Sequence, residues 1–396
     1  MCNVMKTIIY ILTLPLTIFA QGNWTQLTNV PDNIGGATGF SIGSKGYVGL
    51  GFNPSYVQNF YAYDTTLNTW NSIASFPGIA NCYTESFSIN NKGYVALGQQ
   101  YGTPKNELWE YDPINDQWSQ KSNYPSVART EAISFVINNK AYCGTGSTGT
   151  AAGLTKDIYE YDPTTDTWTQ KANFGGGKLM SGVSFAIGNK GYVGLGQDSS
   201  FTLKNTFWEY NAVTDQWTQK ANFPGNARIR AVAFTINGLG YVGTGNDNVN
   251  SKFDFYEYNP TTDSWQQISN LSSIPRQTGV AFNIGNVGYV GTGGNLGSPY
   301  YSDFWKFSSG ITTNINTIKV SELCEPFPNP ITTNLNFECY KKIKCIYVLN
   351  SLGQTLKEIK VLSETIDLKS FENGIYFLKI VDNNNSVTTK RIIIEK

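Results

Sequence analysis

The 396-residue chain contains no histidine. That excludes a Ser-His-Asp triad, a His-ligated zinc site and an imidazole base working near neutral pH. An excess of charge of either sign is also missing: Lys+Arg and Asp+Glu number 29 each, and charged residues are only 15% of the chain. No basic surplus exists to attract nucleic acid, and no basic helix to lie on a membrane. Long apolar runs are scarce. The one at Ile8–Ala20 follows Lys6 and is too short to span a bilayer as a helix. With a small residue at its end, it reads as a secretory signal peptide over residues 1–20, cut after Ala20, with Met5 as an alternative start. Cys2 lies upstream of that run and is no lipoprotein cysteine; no later stretch is expected to span a membrane. Beyond the signal stand Cys82, Cys143, Cys324, Cys339 and Cys345, an odd number that excludes a fully paired disulfide scaffold. Cys82 and Cys143 are expected as buried free thiols, and Cys339 and Cys345 as a pair that could bridge neighbouring strands.

What is present is a repeat. Phe-x-Ile recurs at Phe40, Phe87, Phe135, Phe185, Phe234 and Phe282, and a Tyr follows each Phe seven residues on, from Tyr47 to Tyr289. An aromatic-x-aromatic pair comes next, such as Trp208/Tyr210, and nine residues after its first member stands Trp70, Trp118, Trp168, Trp217 or Trp265. Short alternating apolar runs bounded by Gly, Asn, Asp and Pro read as strands. Asn91-Lys92-Gly93 and Asn189-Lys190-Gly191 supply hairpin turns, and Asp162-Pro163-Thr164 places Pro at the second position of another. Four short strands in about 48 residues make one β-propeller blade.

The sixth aromatic pair, Trp305/Phe307, has no following Trp, while Trp24 has no preceding strand. Trp24-Thr25-Gln26 with Pro31 matches Trp217-Thr218-Gln219 with Pro224. The N-terminal strand is therefore expected to complete the last blade, leaving only short, protected sheet edges. Gly-Tyr-Val-Gly, Tyr-Asp-Pro and Thr-Asp-x-Trp over residues 24–307 resemble the Kelch repeat family, although its double glycine usually appears here as Leu-Gly or Thr-Gly. The resemblance implies an all-β, six-bladed propeller over residues 21–310. Galactose oxidase, built on such a propeller, takes histidines as copper ligands, so this chain cannot be a copper oxidase of that design.

Composition shifts after Gly310. A Thr/Asn-rich linker at 311–324 leads to a region of higher charge, read as short strands of a small β-sandwich over 325–396. Pro328-Asn329-Pro330, Leu352-Gly353-Gln354, Asn373-Gly374-Ile375-Tyr376 and Lys390-Arg391-Ile392-Ile393 resemble the C-terminal sorting domain of type IX secretion cargo of the Bacteroidetes. That resemblance implies handling by the type IX machinery and a secreted or surface-displayed product reached through the periplasm.

Three motifs invite chemistry and are read as structural. Ser41, in Gly39-Phe40-Ser41-Ile42-Gly43, has the nucleophile spacing but no base to activate it, and it lies inside the repeat. Gly144-Thr145-Gly146-Ser147-Thr148-Gly149 has dinucleotide-loop spacing but precedes a strand, not a helix. Asp247, Asn248, Asn250 and Asp254 crowd one loop without calcium-loop spacing. No metal or cofactor is expected.

The candidate ligand site is a set of charges set back from the repeat Tyr. Arg129, Arg228 and Arg276 stand thirteen residues before it, where the other blades carry Ile34, Asn81 and Leu179. Glu131 and Arg230 stand eleven before it, with Lys178 and Glu85 nearby. The Kelch resemblance puts these positions near one mouth of the central channel, where Arg would suit a carboxylate. The expected function is binding of a glycan or protein by a secreted or surface-displayed propeller. An enzymatic alternative follows from resemblance to a sialic-acid mutarotase, with Arg129, Arg228 and Glu131 in its sugar-binding and acid–base roles. A purely structural extracellular scaffold would need no site.

Overall fold

The computed structural model describes residues 22–309, apart from 151–152, 273 and 297–299. It also describes 330–396, apart from 337–342, 351–353, 361–362, 364 and 384–386. The expected signal peptide, linker and Cys339 lie outside the described residues. Contacts divide the chain into two units, 1–311 and 312–396.

The first unit is a six-bladed β-propeller of four-stranded antiparallel sheets. Blade 1 runs Thr38–Ile42, Lys45–Gly49, Phe60–Asp64 and Thr69–Ile73, and the innermost strands of blades 2 to 6 are Glu85–Ile89, Ile133–Ile137, Val183–Ile187, Val232–Ile236 and Val280–Ile284. Blade 6 takes its outermost strand from Asn23–Leu27, which pairs with Phe304–Ser308 in the register Trp24↔Phe307.

Each repeated residue has a job between blades. The Trp118 indole donates to Ala74 O of blade 1, Trp168 to Ser122 O, Trp217 to Ala172 O and Trp265 to Ala221 O. Trp24 does the same for the last junction, donating to Ser269 O at 3.0 Å. The Asp of Thr-Asp-x-Trp accepts from its own blade's Tyr hydroxyl and from a backbone N–H of the preceding blade. Asp215, for example, takes Tyr210 Oη at 2.6 Å and Ala172 N at 2.9 Å. The Gly before the repeat Tyr exists for contact: a Cβ at Gly93, Gly191, Gly240 or Gly288 would run into Phe40, Phe135, Phe185 or Phe234 of the preceding blade. Ring closes on ring, so the core is a belt of blade-to-blade aromatic contacts.

The second unit has a four-stranded sheet, with Ile343–Leu349 and Gly374–Asp382 at its centre, and a two-stranded one. Both feed one apolar core that includes Leu335, Ile346, Ile366, Ile380 and Ile392. Cys82, Cys143 and Cys345 are buried free thiols.

Candidate functional site

Three of the five expected ligand-binding residues are not at a mouth. Arg129, Arg228 and Arg276 are fully buried, each in a two-pronged ion pair within its own blade. Arg129 meets Asp157 at 2.8 and 3.0 Å, Arg228 meets Asp254 at 2.6 and 2.9 Å, and Arg276 meets Asp303 at 2.7 and 2.5 Å. Each also donates to a backbone oxygen, of Thr145, Thr244 or Thr292, and lies over an aromatic ring, of Tyr124, Phe223 or Tyr301. Burial works to raise the Asp157 carboxyl, but the Arg129 guanidinium outweighs it and holds the group below the usual carboxylate range. A guanidinium so enclosed cannot reach a ligand. The assignment of these three arginines to a binding site is corrected: they pin the loops of blades 3, 5 and 6. The mutarotase alternative loses two of its three residues with them.

Two residues further along the chain the geometry reverses. Gly36, Tyr83, Glu131, Ser181, Arg230 and Thr278, one per blade, all have positive φ between 52° and 63°. Their backbones form a closed circle: Tyr83 N donates to Gly36 O, Glu131 N to Tyr83 O, Ser181 N to Glu131 O, Arg230 N to Ser181 O, Thr278 N to Arg230 O and Gly36 N to Thr278 O, at 2.9–3.3 Å. This circle frames one end of the channel. Side chains then cross it. Arg230 of blade 5 donates to Glu131 of blade 3 at 2.8 Å and lies 5.2 Å from the Tyr83 ring centroid of blade 2, on the opposite side. The Ser181 hydroxyl donates to the other Glu131 oxygen. Arg230 is raised further above its already high pKa: burial works against this, and the Glu131 charge prevails. Its Nε finds no partner among the described residues. Lys178 is exposed and outside this set.

Beneath the circle the channel holds chambers of about 210 and 280 Å³ that share Gly39, Ser86, Ser134, Ser184, Ala233 and Ala281. Glu85 faces the first chamber, accepting from Ser134 Oγ at 3.0 Å, and burial pushes its carboxyl up to about 8. Ser41 lines the second chamber.

The loops between the second and third strands surround the circle, and sequence reasoning missed what they carry. Tyr101 and Phe201 are left-handed, with φ of 47° and 60°, and the residues are 78% and 62% exposed. Bulky side chains seldom adopt this conformation. Phe52, Tyr56, Tyr101 and Tyr300 form a chain of edge-on rings on blades 1, 2 and 6, with centroid spacings of 4.9–6.2 Å. A cleft of about 180 Å³ opens among the loops of blades 2 to 4, beside Glu131 and Phe201. The carboxylates of the crowded loop of blade 5 are already engaged. Asp247 already accepts from Val249 N, Asn250 N, Asn226 and Lys252, and Asp254 belongs to Arg228. Among the described residues no group of three His, Cys, Asp or Glu could hold a metal.

A ring of six β-blades followed by a separate β-domain defines a propeller fused to a C-terminal tail. Residues 325–395 match the family of secretion system C-terminal sorting domains. The tail marks the protein for the type IX machinery, hence for the cell surface or the extracellular space. Among solved structures the chain is similar to one titled "Structure of YjhT", with a TM-score of 0.62 and 18% identity over 71% of this chain and 97% of that one. At such identity the likeness shows the fold. No curated protein matches the chain.

Proposed function

We propose that the protein is a secreted or surface-displayed binding protein of Kelch type, holding a glycan or protein ligand on the propeller face that carries the backbone circle. One observation carries this reading: Tyr101 and Phe201 are both bulky, left-handed and solvent-exposed, and both project from that face. Each left-handed residue costs on the order of 1–2 kcal/mol, and exposure forgoes the gain of burying a ring. Two such rings beside a cleft and a mixed-charge mouth fit a surface that a ligand covers.

The full-length chain, wild type against a Tyr101→Ala/Arg230→Ala double variant, is to be screened on a glycan array. It is also to be screened against extracellular proteins of the cells that export it. Saturable binding that the double variant loses is the expected result. Equal binding by both would place the ligand away from this face and overturn the reading, and silence in both screens would favour a purely structural scaffold.

A further inference from the structure

We propose that the cleft among blades 2 to 4 takes an uncharged sugar ring, stacked on Phe201 and hydrogen-bonded from the opposite wall. This rests on the binding role given above and names the ligand class for one part of that face.

The argument begins with charge. Two carboxylates, Glu131 and Asp198, line the cleft, and neither Lys nor Arg does. Each carboxylate already holds a cation from outside the lining: Glu131 has Arg230 at 2.8 Å and Asp198 has Lys204 at 2.5 Å. A carboxylated sugar would meet two acids and no free cation. A cationic ligand would have to displace an existing partner from each acid. A neutral ligand meets neither cost.

The rest of the lining is made for groups that donate and accept at once. Gln99, Thr130, Ser147 and Thr150 line the cleft. The Thr130 hydroxyl donates to Tyr83 O at 3.4 Å and the Ser147 hydroxyl accepts from Gly149 N at 3.2 Å, so each keeps hydrogen-bonding capacity for a ligand. Sugar hydroxyls are themselves both donors and acceptors, so they match amides and hydroxyls better than a purely anionic or cationic group does. Phe201 supplies an apolar face for the C–H side of a pyranose. Its loop is held: Asp198 Oδ1 accepts from Ser200 N at 2.9 Å and Thr202 N at 3.0 Å, Phe201 N donates to Asp198 O at 3.0 Å, and Gln197 Nε2 donates to Phe201 O at 2.9 Å. A platform fixed before binding loses little on ordering. The volume, about 180 Å³, suits one ring and not an extended peptide.

The test uses the full-length chain and two sets of probes, followed by saturation-transfer NMR and calorimetry. The neutral set is the methyl glycosides of glucose, galactose, mannose and N-acetylglucosamine; the acidic set is glucuronic and sialic acids. Saturable binding of a neutral probe is expected, weakened tenfold or more in Phe201→Ala and in Gln99→Ala. It should be unchanged in Val213→Ala, an exposed apolar residue on an outer turn of blade 4. Circular dichroism and melting of each variant separate lost binding from lost fold. Preference for the acidic probes, no neutral binding, or neutral binding indifferent to Phe201→Ala would each overturn the proposal. Protein binding that depends on Tyr101 but not on Phe201 or Gln99 would overturn it too, while leaving the broader binding role standing.

Discussion

Arg228 and Arg230 are two residues apart and live in different worlds. The first is shut inside blade 5 against Asp254; the second lies across the channel mouth against Glu131 and Tyr83. The same contrast separates Arg129 from Glu131 in blade 3. Alternation along an extended segment turns neighbouring side chains to opposite sides, so a shift of two would normally preserve the side. Here the left-handed residue at the second position breaks that rule and swings its side chain over the opening. A cationic residue near a channel is therefore no evidence of a binding site until its partner is known.

The largest test of this contrast is to strip a buried partner. Asp254→Ala leaves Arg228 enclosed and unpaired, and should cost about 3–5 kcal/mol by chemical denaturation. Copying the neutral pair of blade 4, Leu179 and Thr206, as Arg228→Leu/Asp254→Thr should recover most of that loss. If Asp254→Ala is silent, the buried layer is not structural.

A second test concerns the channel wall, between the two layers. Glu85 keeps its proton in the folded state up to about pH 8, against an ordinary value of 4.5. Between those pH values the unfolded chain has released a proton that the folded one retains, so stability should fall as pH rises from about 4.5 to about 8 and then level off. Melting temperatures across that window should show the slope, and Glu85→Gln should flatten it.

The smallest expected effect is at the mouth. Arg230→Ala should cost less than Asp254→Ala, about 1–2 kcal/mol, because Glu131, although largely buried, keeps the Ser181 hydroxyl as a donor. A loss as large as that of Asp254→Ala would erase the distinction drawn between the layers.

Much of this architecture was legible in the chain. Trp24 could be matched to Trp217 because both indoles serve one purpose, bonding a carbonyl of the neighbouring blade. The glycine of Gly-Tyr-Val-Gly was visible as a motif, but its reason, the Phe ring of the preceding blade, was not. The arginines misled because only one half of each pair was read. A sequence signal did exist: Asp157, Asp254 and Asp303 follow the three arginines by 26–28 residues, whereas the other blades place Asn59, Glu107 and Thr206 there. Tyr101 and Phe201 carried no such signal. Their importance lies in backbone conformation and exposure, which loop residues outside the repeat do not announce.

The circle of six backbone hydrogen bonds has an electrical corollary. Every link points the same way around, so the peptide dipoles chase one another and cancel. The polarity of the opening is therefore written mainly by the side chains at these positions, Glu131 and Arg230 above all. Gly36, Tyr83, Glu131, Ser181, Arg230 and Thr278 are the present inscription, and each of them holds the left-handed backbone on which the clasp beneath depends.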